Sequence, residues 1–220
     1  MANSTRRVVQ VVELDIDYYR ATQFETAQIG NPVDNWTSRW ESSASLEAIM
    51  DADLPSGKGG QLKISSDNPG FYLASWDPAG DSMINTSALT CVKVRDIGVN
   101  TGILLRGAGS PTLNTKRGYE CSIINGDTLR FVKHTTGGGF SILTSRVFEY
   151  GPNDIVWILF EAINAQAFGG SSGVVLRAKA WKGKMSNEPT SFTLTYTDTS
   201  DAITQAGWVG LVRTVGPSGL

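Results

Sequence analysis

From residue 174 to residue 181 every second side chain is apolar. Val174, Leu176, Ala178 and Ala180 fall on one side of an extended chain, and Arg177, Lys179 and Trp181 on the other. Successive side chains of a strand point to opposite faces, so this period of two predicts a strand with one face in a core and one face outside. A helix would repeat its apolar positions every three or four residues, and no stretch of this chain sustains that spacing. Residues 154–162 differ in one respect. Val156, Ile158 and Phe160 alternate with Trp157 and Leu159, so both faces are apolar, as in a central strand covered on both sides.

Further strands are expected at 61–64, 71–76, 89–94, 102–106, 119–124, 128–133, 141–143, 192–196 and 208–213. Glycine, asparagine, aspartate and serine separate them. Asn125-Gly126-Asp127 predicts a tight hairpin, because Asn-Gly tolerates the positive φ angles that such a turn needs. Gly137-Gly138-Gly139 and Gly169-Gly170-Ser171-Ser172-Gly173 read as two more hairpin connections. Strands in series without intervening helices indicate an all-β sandwich. One short helix is expected near 45–50, capped by Ser42 or Ser43.

The start of the chain is different, and it divides the sequence into an extended arm over 1–33 and a sandwich over 34–220. Residues 8–18 read as a single strand. It is either a docking strand that pairs with another subunit, presenting Val8, Val9, Val11, Val12, Leu14 and Ile16, or an edge strand of the sandwich itself.

Charge limits the partners. Of the 220 residues 40% are hydrophobic and only 18% charged, with a formal net charge of −2. Nucleic acid binding depends on neutralising several phosphates at once, and anionic lipid on a polybasic surface, so neither is an expected partner. No run approaches the ~20 apolar residues of a membrane span, and the N-terminus lacks the apolar core of a signal peptide. A chain made soluble in the cytosol is expected. Cys91 and Cys121 lie in strand-like stretches, where buried free thiols are expected and a disulfide remains open if the strands are neighbours. The single histidine, His134, sits beside a glycine-rich turn and reads as an exposed loop residue.

Few constellations carry chemistry. With one histidine, no nucleophile–base arrangement suggests itself. No metal or other cofactor is expected. Calcium is conceivable at the acidic loops 77–81 and 198–201, which read as solvated turns. The string Glu13-Leu14-Asp15-Ile16-Asp17 resembles the Glu-x-Asp-x-Glu strand of laminarinase-type β-glucanases. It ends in the shorter Asp17 and lies near the N-terminus, so catalysis by Glu13, Asp15 and Asp17 is the alternative to binding alone. Six Trp and six Tyr suit a different role, since exposed rings stack on the apolar faces of sugars. Arg177, Lys179 and Trp181 form one polar-aromatic face, and Trp76, Arg106 and Tyr119 are the other candidates.

Two resemblances extend this reading. Val175-Leu176-Arg177-Ala178-Lys179-Ala180-Trp181, Asn187-Glu188-Pro189, Phe192, Asp198 and Ala206-Gly207-Trp208-Val209-Gly210-Leu211 resemble the C-terminal signature of concanavalin A-like domains. Gly102-Ile103-Leu104-Leu105-Arg106 and Gly118-Tyr119-Glu120 are similar to strands in which those domains carry an Arg and a Tyr. The resemblance covers about 36–213 and implies a jelly-roll, a fold shared by lectins, glycanases and adhesion modules. Phe192 replaces the usual Trp, and the usual last strand is missing after Val215, so the N-terminal strand is expected to close the fold. Arg6-Arg7-Val8-Val9-Gln10-Val11-Val12-Glu13-Leu14-Asp15-Ile16-Asp17-Tyr18 is similar to the opening of a group of siphophage tail proteins, without the cysteines that follow there. Together they imply a tail-associated virion protein, made in the bacterial cytoplasm, homo-oligomeric and in contact with other virion proteins. Its lectin-like domain would bind a host-surface polysaccharide. A glycan hydrolase and a purely architectural decoration protein are the alternatives.

Overall fold

The structure is a computed structural model, and it describes residues 5–6, 36–40, 45–50, 60–65, 70–76, 83–94, 97–109, 116–170 and 172–215. In chain order the strands are β1 (Thr5–Arg6), β2 (Trp36–Trp40), β3 (Ser45–Met50), β4 (Gly60–Ser65), β5 (Gly70–Trp76), β6 (Thr86–Lys93) and β7 (Val99–Ala108). There follow β8 (Arg117–Ile124), β9 (Thr128–Thr135), β10 (Gly139–Val147), β11 (Ile155–Asn164), β12 (Val174–Lys182), β13 (Leu194–Asp198) and β14 (Trp208–Val215). They build an all-β jelly-roll sandwich. One sheet has five strands in the order β1-β6-β11-β12-β13, the other seven in the order β10-β9-β8-β7-β14-β5-β2, and β3 and β4 form a separate pair. All pairings among the described residues are antiparallel except that of β1 with β6.

The strand that is apolar on both faces, β11, is central, paired with β6 on one side and β12 on the other. Val156, Ile158 and Phe160 enter the main core, while Trp157 and Leu159 belong to a smaller cluster on the opposite face. Val174, Leu176, Ala178 and Ala180 also face the core, as their spacing predicts. Ile103, Leu105, Tyr119, Cys121 and Phe131 meet them from the seven-stranded sheet, and the rings of Phe131 and Phe160 stack at 5.3 Å. The two cysteines sit in different sheets, Cys91 opposite Trp157 and Cys121 opposite Phe131, as buried free thiols. Burial pushes the Cys91 thiol up to about 12.

The Asn-Gly hairpin forms as expected between β8 and β9. Asn125 has φ 56° and Gly126 φ 78°, and the Asp127 N–H donates to the Ile124 carbonyl at 3.3 Å. Two sequence expectations fail. Residues 45–50 form no helix; β3 pairs with β4 in a register that sets Leu46 opposite Ile64 and Ala48 opposite Leu62. A segment this short nucleates a helix poorly, and an adjacent strand satisfies its backbone at once. His134 is no loop residue either. Strand β9 runs on to Thr135, and His134 is buried with Nε2 2.8 Å from Glu120 Oε2.

The C-terminal strand β14 lies inside the seven-stranded sheet, between β7 and β5, and β2 forms that sheet's edge. Of the N-terminal segment, the described residues Thr5 and Arg6 lie beside Thr86 and Ser87. The expected strand over 8–18 lies outside the described residues, so its closing or docking role is not visible.

Candidate functional site

The outward face of the five-stranded sheet divides into an apolar half and a polar half, and the register sets the division. Cys91, Trp157 and Trp181 stand side by side across β6, β11 and β12; two residues further along the strands come Leu89, Leu159 and Lys179. Next come Ser87, Glu161, Arg177 and, on β13, Thr195.

The apolar half is closed to solvent. The indoles of Trp157 and Trp181 stack, and each Nε1 donates to a backbone carbonyl, Trp157 to Gly183 at 2.8 Å and Trp181 to Lys184 at 3.1 Å. Met185, in the 3-10 turn Met185–Asn187, packs onto the same cluster. Trp181 therefore shares the outer face with Arg177 and Lys179, as its spacing predicts, but it is only 5% exposed. As an exposed stacking platform for sugar it is excluded by this packing.

The polar half is partly exposed. Arg177 donates from Nε at 3.0 Å and Nη2 at 2.7 Å to Glu161 Oε2, while the Ser87 hydroxyl donates to Glu161 Oε1 at 3.3 Å. The Arg177 guanidinium carbon sits 4.4 Å from the Phe192 ring centre and 4.9 Å from that of Phe168. Lys179 donates to Glu188 at 2.6 Å and lies 5.5 Å from the Phe192 ring. Phe168 ends the 3-10 turn Ala165–Phe168, which Gly169 closes in the left-handed region at φ 78°. With the guanidinium against its ring, Phe168 still leaves 53% of its surface exposed. A cation in contact with two rings is drawn to both. The result is a half-free ring, oriented guanidinium hydrogens and a carboxylate acceptor within one patch, which is chemistry suited to a polyhydroxylated ligand.

Sequence reasoning located Arg177 and Lys179 but missed Phe168 and Glu161. Phe168 stands in a turn without alternation; Glu161 has a weak signal, as the one charged residue of a mostly apolar strand.

Arg106 and Tyr119, proposed from the sequence as surface donors, point the other way. Both are completely buried in the seven-stranded sheet. Arg106 has φ 55° at a shift in strand register, and its guanidinium donates to the Ile203 carbonyl at 2.6 Å, Asn164 Oδ1 at 2.8 Å and the Ala162 carbonyl at 3.2 Å. Burial lowers it to about 10, so it stays charged at neutral pH. Tyr119 donates to Asp198 Oδ2 at 2.6 Å and accepts from the Ile203 N–H at 2.8 Å. Burial and then the Asp198 hydrogen bond push its phenol well up. Lys133 pairs with Asp198 at 2.9 Å and donates to the Ser200 carbonyl. Arg106, Tyr119 and Lys133 thus tie 198–203 to the sandwich from within the protein.

Asp198 is accordingly no solvated calcium donor, since it is buried against a lysine and a tyrosine. Among the described residues no three His, Cys, Asp or Glu side chains gather around a metal-sized space, and no helix is long and apolar enough to cross a membrane. Trp76 pairs through its backbone with Val209 and Trp36; its side chain, the loop 77–81, the docking residues Val8, Val9, Val11, Val12, Leu14 and Ile16, and the acids Glu13, Asp15 and Asp17 lie outside the described residues.

No protein-family model matches the chain, and no curated protein matches it significantly. Among solved structures it is similar to the carbohydrate-binding module CBM66 from Bacillus subtilis. The TM-score is 0.55 at 13% identity, over 82% of this chain and 88% of that one. At that identity the likeness shows the fold alone.

Proposed function

We propose that this chain is a glycan-binding module of the concanavalin A-like kind, carried on a tailed-phage particle, which holds host-surface polysaccharide without cleaving it. The observation that carries the reading is the Arg177 guanidinium in contact with both Phe192 and a half-exposed Phe168, with Glu161 fixed beside it. A sugar ring stacks on Phe168 while its hydroxyls bond to Arg177 and Glu161. The neighbouring fold, named for carbohydrate binding, supports the same role. The particle setting rests on the N-terminal resemblance to siphophage tail proteins, with the arm over 1–33 as docking segment and other virion proteins as partners.

One observation favours a second reading, an architectural decoration module. Strand β10 is an edge of the seven-stranded sheet, and Phe140, Ile142 and Val147 on it are 67%, 56% and 73% exposed. Open edges carrying apolar side chains invite a neighbouring chain.

Phe168→Ala separates the readings. Under glycan binding it abolishes retention of the protein on host cells while its thermal midpoint stays within about 2 °C, since an exposed ring contributes little to folding. Unchanged retention overturns the assignment. Deleting 1–33 tests the particle setting, and the truncated chain is expected to fold, to bind cells and to be absent from purified particles.

A further inference from the structure

The class of glycan is written into the charges of the same patch, on the premise that it binds glycan at all. Both cations there are already paired. Arg177 gives Nε and Nη2 to Glu161, and Lys179 gives its ammonium to Glu188 at 2.6 Å. The side chains are only partly exposed, Arg177 27%, Glu161 15%, Lys179 14% and Glu188 29%, so each pair is partly shielded from water. Among the described residues these two positive and two negative charges sum to zero.

We infer that this patch selects a neutral glycan and discriminates against polymers bearing carboxylate, sulfate or phosphate groups. Recognition of an anion by arginine uses the fork of two parallel N–H donors, and here Glu161 occupies the fork formed by Nε and Nη2. An anion brought to the other edge, formed by Nη1 and the second hydrogen of Nη2, meets a cation whose charge Glu161 already offsets. A sugar hydroxyl suffers no such loss, because it donates and accepts at once. It accepts from Arg177 Nη1, which makes no hydrogen bond among the described residues, and donates to Glu161. The Thr195 hydroxyl, directly opposite Arg177 on β13 and exposed, adds a further neutral partner. Phe168 supplies stacking that is indifferent to charge.

The test is affinity electrophoresis of the full chain through gels containing neutral polymers (dextran, mannan, β-glucan, galactan) or acidic ones (alginate, polygalacturonate, chondroitin sulfate). Each is run at about 20 mM and about 300 mM salt, between which the Debye length falls from ~20 Å to ~6 Å. Retardation by a neutral polymer, changed less than about twofold by salt, is expected. Glu161→Gln releases the Arg177 fork; it should weaken neutral retardation about tenfold and create salt-sensitive retardation by acidic polymers. Glu188→Gln frees Lys179 and gives the same direction if the first variant does not fold. Retardation of the unmodified protein by acidic polymers, abolished by salt, overturns the inference while leaving glycan binding intact. Retardation by neither class overturns glycan binding itself, and the inference with it.

Discussion

The indole of Trp181 lies nearly parallel to that of Trp157, ring centres 6.0 Å apart and planes 11° apart, on the face of the five-stranded sheet that points away from the core. With Leu89, Cys91 and Leu159 they make a second apolar cluster beneath Met185 and its turn. Removing a buried Trp costs about 3–5 kcal/mol, so Trp181→Ala should lower the urea midpoint markedly. A midpoint equal to that of the unmodified protein would place this indole in solvent.

Ile203 is gripped from both sides, its carbonyl by Arg106 and its N–H by Tyr119. Tyr119→Phe deprives that buried N–H of its acceptor and Asp198 of a donor, at about 1–3 kcal/mol for each group left unmet. Hydrogen exchange should quicken in 199–206, with β8 and β9 still protected. Unaltered exchange there would show that Arg106 and Lys133 hold the segment without the tyrosine.

Glu120 gives the stability a dependence on acid. Burial pushes its carboxyl up, but the hydrogen bond and charge of His134, aided by Ser122 and Arg130, bring it below the usual carboxylate value of 4.5. A carboxyl depressed on folding adds stability above its unfolded pKa and loses it as pH falls through the folded one. Thermal midpoints should therefore decline below about pH 4.5, and Glu120→Gln should flatten that decline while lowering the midpoint at neutral pH, because it breaks a buried pair. Parallel curves for the two proteins would remove Glu120 as the cause.

How far the sequence reaches is seen by comparing Arg177, Trp181 and Phe168. Alternation assigns a side chain to a face, so it placed Arg177, Lys179 and Trp181 together and put β11 at the centre of its sheet. Alternation does not say what covers a face. The turn at 185–187 folds back over Trp181 and leaves Arg177 open, a difference that depends on loop path and not on strand period. Phe168 has no period to betray it, because its position depends on a 3-10 turn closed by Gly169. His134 and Asp198 were misjudged for a related reason. Each is a polar residue beside turn-forming neighbours, and each finds a buried partner, Glu120 on the adjacent strand for His134 and Lys133 on the opposite sheet for Asp198.

Arg177→Lys distinguishes a positioned guanidinium from a mere positive charge. Lysine keeps the charge and can still pair with Glu161, but its compact ammonium has no flat face to lay against Phe168 or Phe192. It also has no second edge to offer a sugar while the first is bonded to the carboxylate. Arg177 is 27% exposed on its side chain, and partly solvated ion pairs contribute at most about 1 kcal/mol. The thermal midpoint should therefore move by no more than a few degrees. Retention on host cells should fall about tenfold, the loss expected from one well-placed hydrogen bond and a loosened stacking ring. Retention at the level of the unmodified protein would mean that charge alone suffices and that the two rings are packing for the turn at 165–168.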